Sequence, residues 1–212
     1  MSRFPIILSA PSGGGKTTIA RKIMSMRIDV GYSVSATTRR RRPDETHAVD
    51  YYFLPDEEFT KRRAAGEFAE SAQVHGFWYG TLRREVDRVL AGNQHVMMAI
   101  DVQGARQFHA AFPDSVLIFV LPPSVEVLVA RLRARKTESD ESIERRLKSA
   151  LGEIEAVSDY HYVVINDELD AATEQVSAII DAEMARTTRA HGVDDTVAAL
   201  LAELRRTISS NV

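Results

Sequence analysis

The stretch Ser9–Thr18, S-A-P-S-G-G-G-K-T-T, constrains this chain more than any other. An apolar run, Phe4 to Leu8, reads as a buried parallel strand leading into it, and Ile19, Ile23 and Met26 recur at helical spacing after it. Strand, glycine-rich turn, lysine and hydroxyl, then helix is the context of a phosphate-binding loop. Glycines 13 to 15 let backbone N–H groups converge on an anion without Cβ interference, and the helix N-terminus adds partial positive charge. Ser12, Gly13, Gly14, Gly15, Lys16, Thr17 and Thr18 are therefore expected to hold a nucleoside triphosphate. Lys16 would reach the β- and γ-phosphates, and the Thr17 hydroxyl would ligate Mg²⁺. One position departs from the pattern: Ala10 stands where the loop consensus has its first glycine.

At 212 residues the chain suits one α/β domain with insertions. Its longest apolar run, Val116 to Leu121, is strand-sized and far short of a membrane span. A net charge of −3 argues against a surface that coats nucleic acid, and zero cysteines exclude disulfides and thiolate metal sites. The first strand begins so early that no signal peptide is expected, and the reading is cytoplasmic, without membrane or nucleic-acid partners.

Strand-like and helix-like segments alternate, which predicts a mostly parallel sheet flanked by helices. Core strands are expected at Phe4–Leu8, Val96–Ile100, Ser115–Leu121 and Tyr162–Ile165, with a further strand at Gly31–Ser35. Between Ser33 and Asn93 the chain becomes aromatic and β-rich, like an inserted lobe: strands at Asp50–Leu54 and Phe68–Tyr79 (with Gly76 in a hairpin turn), and a helix stopped by Gly66. Thr81 reads as the N-cap of a helix carrying Leu82, Val86, Val89 and Leu90. Tyr52, Phe53 and Trp78 read as lobe core. The last helix carries an apolar stripe, Val197, Leu200, Leu201 and Leu204, expected to pack within the molecule.

A phosphate loop alone leaves kinase, ATPase, GTPase and transporter subunit open, and no guanine-reading N-K-x-D segment is present. The remaining motifs fall in a defined order: S-V-S-A-T-T-R-R-R-R-P (33–43), D-Y-Y-F (50–53), E-F-A-E (67–70), W-Y-G-T (78–81) and I-D-V-Q-G (100–104). From Phe4 to Leu169 this set resembles guanylate kinase, a P-loop nucleoside monophosphate kinase family that moves a phosphoryl group from ATP to GMP. The resemblance implies a P-loop core with a five-stranded sheet (1–32, 94–122 and 156–212), a mixed α+β GMP-binding lobe (33–93) and a helical lid with flanking helices (123–155). By position, Arg39, Arg42, Tyr51 and Tyr79 match the family's GMP-phosphate ligands. Ser35, Glu70, Thr81 and Asp101 match the residues around guanine, Asp101 with a Mg²⁺-linked role also open. Arg131, Arg135 and Arg146 match lid and hinge arginines, although Lys136 stands where the family usually has glycine. Asn166 matches a position near adenine.

The chemistry of these side chains agrees with those roles. A monophosphate dianion suits forked arginine and phenol donors. A carboxylate at Glu70 can accept from the ring N–H and the amino group on one edge of guanine, while adenine would leave buried polar groups unpaired. Two rivals stay open on sequence: a kinase of similar architecture with another acceptor, and a non-enzymatic interaction module. Monomer and homodimer are both compatible with the chain.

Overall fold

A computed structural model describes residues 3–74, 76–134, 140–190 and 192–210. Residues 3–177 form one compact unit; the second comprises the chain from Ala178 onward. In the first unit, β1 (Pro5–Ser9) enters α1 (Lys16–Met26), followed by β2 (Val30–Tyr32), β3 (Ala36–Thr37) and β4 (Tyr52–Phe53). Next come α2 (Asp56–Ala64), β5 (Phe68–Val74), β6 (Phe77–Leu82), α3 (Arg83–Ala91), β7 (His95–Ala99) and α4 (Val102–Ala111). The remainder is β8 (Val116–Leu121), α5 (Val125–Arg133), α6 (Asp140–Glu155), a 3₁₀ turn, β9 (Tyr162–Ile165), α7 (Leu169–Met184) and α8 (Val193–Ser210).

The main sheet is wholly parallel in the order β2-β7-β1-β8-β9 and flanked by helices. Its central strand β1 is buried at every residue, so both faces must be apolar, which is why Phe4–Leu8 reads as a continuous run rather than an alternation. Ile7, Val96, Met98 and Leu117 meet Val86 and Val89 of α3 and Ala105 and Phe108 of α4 in one cluster. Because β1 pairs with β7 (Leu8 opposite Ala99), the loops that leave these strands emerge side by side. In open parallel sheets, ligands bind at this carboxyl edge. Among the described residues no helix is long and apolar enough to cross a membrane.

The second sheet, β4-β3-β6-β5, is mixed: β3 runs parallel to β4 and antiparallel to β6, and β5–β6 is the hairpin expected around Gly76. One face buries Ala36, Phe68 and Leu82 against Phe59 of α2, with Tyr52 and Trp78 alongside. Tyr52 and Trp78 are thus core, as read from sequence. Phe53 is not: one residue along from Tyr52 the pleat turns it to the opposite face, where the Arg39 guanidinium stands 5.6 Å from its ring. Thr81 is likewise not a helix cap. It lies inside β6, and α3 is capped at Leu82 without a side-chain hydrogen bond, because the Thr81 hydroxyl is engaged elsewhere. In the second unit the stripe Val197, Leu200, Leu201 and Leu204 is exposed rather than packed.

Phe59 is fully buried, with its ring 4.4 Å from Phe68 and 6.0 Å from Trp78. Phe59→Ala should destabilise the fold by about 3–5 kcal/mol in denaturant titrations. A loss under about 1 kcal/mol would show that this face is not a packed core.

Candidate active site

The phosphate loop is shaped by three glycines with different tasks. Gly13 and Gly15 take left-handed φ values of 91° and 97°, which only glycine adopts freely. Gly14 is required by space instead: a Cβ there would lie 2.8 Å from the Ala10 methyl. This explains the departure at Ala10, since the methyl occupies room that Gly14 leaves empty. Gly14 N–H donates to Pro11 C=O at 2.8 Å and closes the turn. Gly15 caps α1 without any side-chain acceptor, so the first amides of the helix face the loop, where an anion can take them. Lys16 and Thr17 follow in the first turn of α1.

Two lid-side arginines converge on this loop. Arg146 of α6 donates through Nη1 to Ser12 Oγ at 2.9 Å. Arg131 of α5 donates through Nη2 to the Asn166 carbonyl at 2.9 Å, while its Nη1 is buried without a hydrogen-bond partner among the described residues. A buried cationic N–H of this kind is built to meet an acceptor. Asn166, buried just beyond β9, gives its side-chain amide to Gly14 C=O at 2.8 Å. The structure therefore seats Asn166 against the phosphate loop. Arg135 lies outside the described residues.

The second cradle sits on the open face of the mixed sheet. Thr37 pairs with Tyr79 and with Phe53, so β3, β4 and β6 present these residues on one side, next to Tyr51. Arg39 lies 5.3 Å from the Tyr51 ring centroid, and the Tyr51 and Tyr79 rings meet edge to face at 6.0 Å. Burial raises the Tyr51 phenol pKa, keeping it a protonated donor.

Glu45, which sequence reasoning passed over, organises the arginines. It takes a forked pair of bonds from Arg39 (2.8 and 2.7 Å) and one from the Arg42 backbone N–H at 2.9 Å. Burial works against the Glu45 charge, but the Arg39 fork, the Arg42 N–H and the two guanidinium charges together outweigh it and hold the carboxyl below its ordinary range. Burial likewise opposes the Arg39 charge, and Glu45 with Tyr79 more than restores it. The available signal was an acid six residues after Arg39 and three after Arg42, next to Asp44 at the end of a run of four arginines.

Glu70 reaches the same face by an irregularity. Phe68 pairs with Leu82, but the register shifts between Phe68 and Glu70, so that Glu70 stands opposite Thr81 rather than Gly80. Without this bulge Glu70 would point, like Phe68, into the Phe59 core. With it, Glu70 and Thr81 share the face of Tyr79, two residues or about 7 Å along β6. Thr81 Oγ1 donates to Glu70 Oε1 at 2.7 Å. Ser35, also buried, directly precedes β3. Burial pushes the Glu70 carboxyl up to about 7, the Thr81 hydroxyl pulling the other way and the Asp101 charge adding to the rise. Gly104 leaves room for this carboxylate, since a Cβ there would stand 2.6 Å from Glu70 Oε2.

Asp101 caps α4, its Oδ1 accepting from Gln103 N–H (2.7 Å) and Gly104 N–H (3.0 Å). Its charge raises the pKa of Glu70 and of Glu153, and the Glu153 carboxyl in turn feels Lys16.

A glycine-rich phosphate loop, a separate arginine–tyrosine cluster and a buried carboxylate beside it are the features of a P-loop phosphotransferase. The guanylate kinase family model matches residues 2–183. A guanylate kinase of Chelativorans sp. is 47% identical over 199 residues, covering 93% of this chain and 91% of that one. One from Nitrosospira multiformis is 42% identical over 205 residues, covering 95% and 94%. Among solved structures, guanylate kinase from Anaplasma phagocytophilum matches with a TM-score of 0.78 at 32% identity, over 92% of this chain and 94% of that one. The chain belongs to the guanylate kinase family and is a kinase.

Two outcomes test the Glu70 geometry. The folded protein keeps the Glu70 proton up to about pH 7, whereas the unfolded chain releases it near 4.5. Folding stability therefore falls between these values and stays lower above them, by up to about 3 kcal/mol. Denaturant unfolding of the ligand-free Glu70→Gln variant should show it gaining on the wild type between pH 5 and pH 8; a pH-independent difference would contradict the raised pKa. Gly104→Ala should push the carboxylate aside and raise the KM for the monophosphate by about tenfold or more, with KM for ATP little changed.

Proposed function

We propose that the site catalyses reversible, direct in-line transfer of the γ-phosphoryl group of ATP to GMP, giving ADP and GDP. The carrying observation is the placement of Glu70 with Thr81 beside the Arg39–Tyr51–Tyr79 cradle. Ionised on binding, that pairing offers an acceptor-only edge to the guanine ring N–H and amino group, two residues along the strand from donors for a 5′-phosphate. In this reading Ser35 turns its hydroxyl toward the purine, Thr81 holds the Glu70 carboxylate that reads it, and Arg39, Arg42, Tyr51 and Tyr79 aim the GMP phosphate oxygen. The opposing phosphate loop, Ser12 to Thr18, holds ATP, with Lys16 on its β- and γ-phosphates.

Phosphoryl transfer asks the protein for alignment and charge neutralisation more than for covalent chemistry. Arg131, whose Nη1 has no hydrogen-bond partner among the described residues, would swing its charge onto the migrating group, joined by Arg146 and Arg135. No general base is assigned, because the acceptor phosphate is itself an anionic nucleophile. Asn166 serves ATP by supporting Gly14, and an adenine contact from the same residue is part of the proposal.

The oxygen donors present, the Thr17 hydroxyl in the first turn of α1 and the Asp101 carboxylate, suit Mg²⁺, a hard cation that takes oxygen ligands. Mg²⁺ bound there would neutralise phosphate charge; Asp101 could serve it through Oδ2, since Oδ1 is committed to capping α4. Water must be kept from ATP, so the lid and the GMP-binding lobe are expected to close over both substrates. A cytoplasmic setting, where both nucleotides are available, accompanies this reading.

A coupled assay with ATP, Mg²⁺ and GMP tests the proposal together with one variant. Lys16→Ala should abolish turnover while GMP still binds by calorimetry. Turnover equal to the wild type in that variant would remove Lys16 and its loop from the reaction.

A further inference from the structure

Helix α6 touches the phosphate loop at two points, and only one of them belongs to a lid arginine. Arg146 and Glu153 are seven residues apart, two turns along one face of the helix, and both reach Ser12. Arg146 donates to the Ser12 hydroxyl, and Glu153 Oε2 accepts from the Ser12 backbone N–H at 3.1 Å. Ser12 immediately precedes Gly13, the first left-handed residue of the loop, so its amide sits where the chain turns toward the anion site. A carboxylate is acceptor-only, and a charged acceptor on a backbone N–H fixes that amide more firmly than a neutral one.

The carboxylate also faces charge. Lys16 of α1 and Arg146 favour its ionised form and Asp101 opposes it; burial is the largest influence and leaves the pKa raised. Glu153 lines a cleft of about 390 Å³ with Asp101, Gln103, Arg106, Gly152 and Gln73. It therefore contacts the phosphate loop at Ser12 while facing a cleft shared with Asp101.

We propose that Glu153 is a positioning residue for phosphoryl transfer: it braces the Ser12 N–H, so that one face of α6 sets the phosphate loop and delivers Arg146 to it. The proposal rests on the kinase reading above. Its consequence is that movement of α6 and the shape of the loop are coupled, because Ser12 cannot shift without breaking a bond to the helix.

Steady-state kinetics on the full chain test this, varying ATP at saturating GMP and GMP at saturating ATP. Glu153→Ala should lower kcat/KM for ATP roughly ten- to a hundredfold, the worth of one charge-assisted hydrogen bond, with KM for GMP within about twofold. Glu153→Gln keeps an acceptor for Ser12 but loses the charge on that acceptor. It should retain more activity than Glu153→Ala, and its pH profile of kcat/KM for ATP should lose an acidic limb that Glu153→Asp keeps. An unchanged kcat/KM for ATP in Glu153→Ala would overturn the proposal. So would a parallel loss of ATP and GMP affinity with a lowered melting temperature, which marks a merely structural side chain. If Glu153→Ala fails to fold, the pH profile of Glu153→Gln decides, and a profile identical to the wild type overturns it. A wild type that turns over no GMP would instead defeat the kinase reading itself.

Discussion

The site depends on a carboxylate placed where water cannot reach it. Glu70 is almost wholly buried, hydrogen-bonded to a buried threonine, with Asp101 close enough to discourage its charge. A desolvated acceptor of this kind is costly until a donor arrives, and that cost is what makes recognition selective. A purine edge with two donors satisfies it; an edge with an acceptor at the same place leaves it unpaired. The bulge in β5, the small residues Gly80 and Gly104, and the aromatic core under Phe68 all serve to hold this one side chain on the correct face. The Phe68 ring would meet a Cβ at Gly80 at 2.8 Å, so even the close approach of β5 to β6 requires glycine there.

Around that group the two anion sites are arranged by different means. The phosphate loop uses backbone amides and a helix terminus, which need no side chain and tolerate little change of shape. The second cradle uses arginine and tyrosine, held ready by Glu45 through bonds that also fix Arg42. Anchoring Arg39 with a carboxylate keeps its fork ordered, while the open side of the cradle remains for a phosphate. Asp101 sits where the two systems meet, at the carboxyl end of β7 beside the loop that leaves β1.

Much of this was legible in the sequence, for physical reasons. The fully buried strands announce themselves as apolar runs, the phosphate loop as glycines before lysine, and the anion cradle as arginines near tyrosines in a β-rich insert. What was not legible depends on geometry that residue types do not encode. Thr81 looks like a helix cap because threonine before an apolar helical pattern usually is one; only the shifted β5–β6 register reveals that its hydroxyl belongs to Glu70. Phe53 and Tyr52 are chemically alike, and a single step of the pleat separates core from ligand face. Asn166 gives no sign in sequence that its amide supports Gly14 across 152 residues of chain. Ala10 looks like a flaw in the loop until Gly14 is seen beside it. The apolar stripe of α8 obeys helical periodicity perfectly, yet periodicity alone does not say what covers it.

The most direct test is selectivity among acceptors. With ATP and Mg²⁺ held constant, initial rates should be compared for GMP, AMP, UMP and CMP under the same conditions. A site that reads the purine edge with buried polar groups should favour GMP over AMP by about 10⁴-fold or more in kcat/KM. Comparable rates with AMP and GMP would mean that Glu70 does not read the base, and the account of this site would fail.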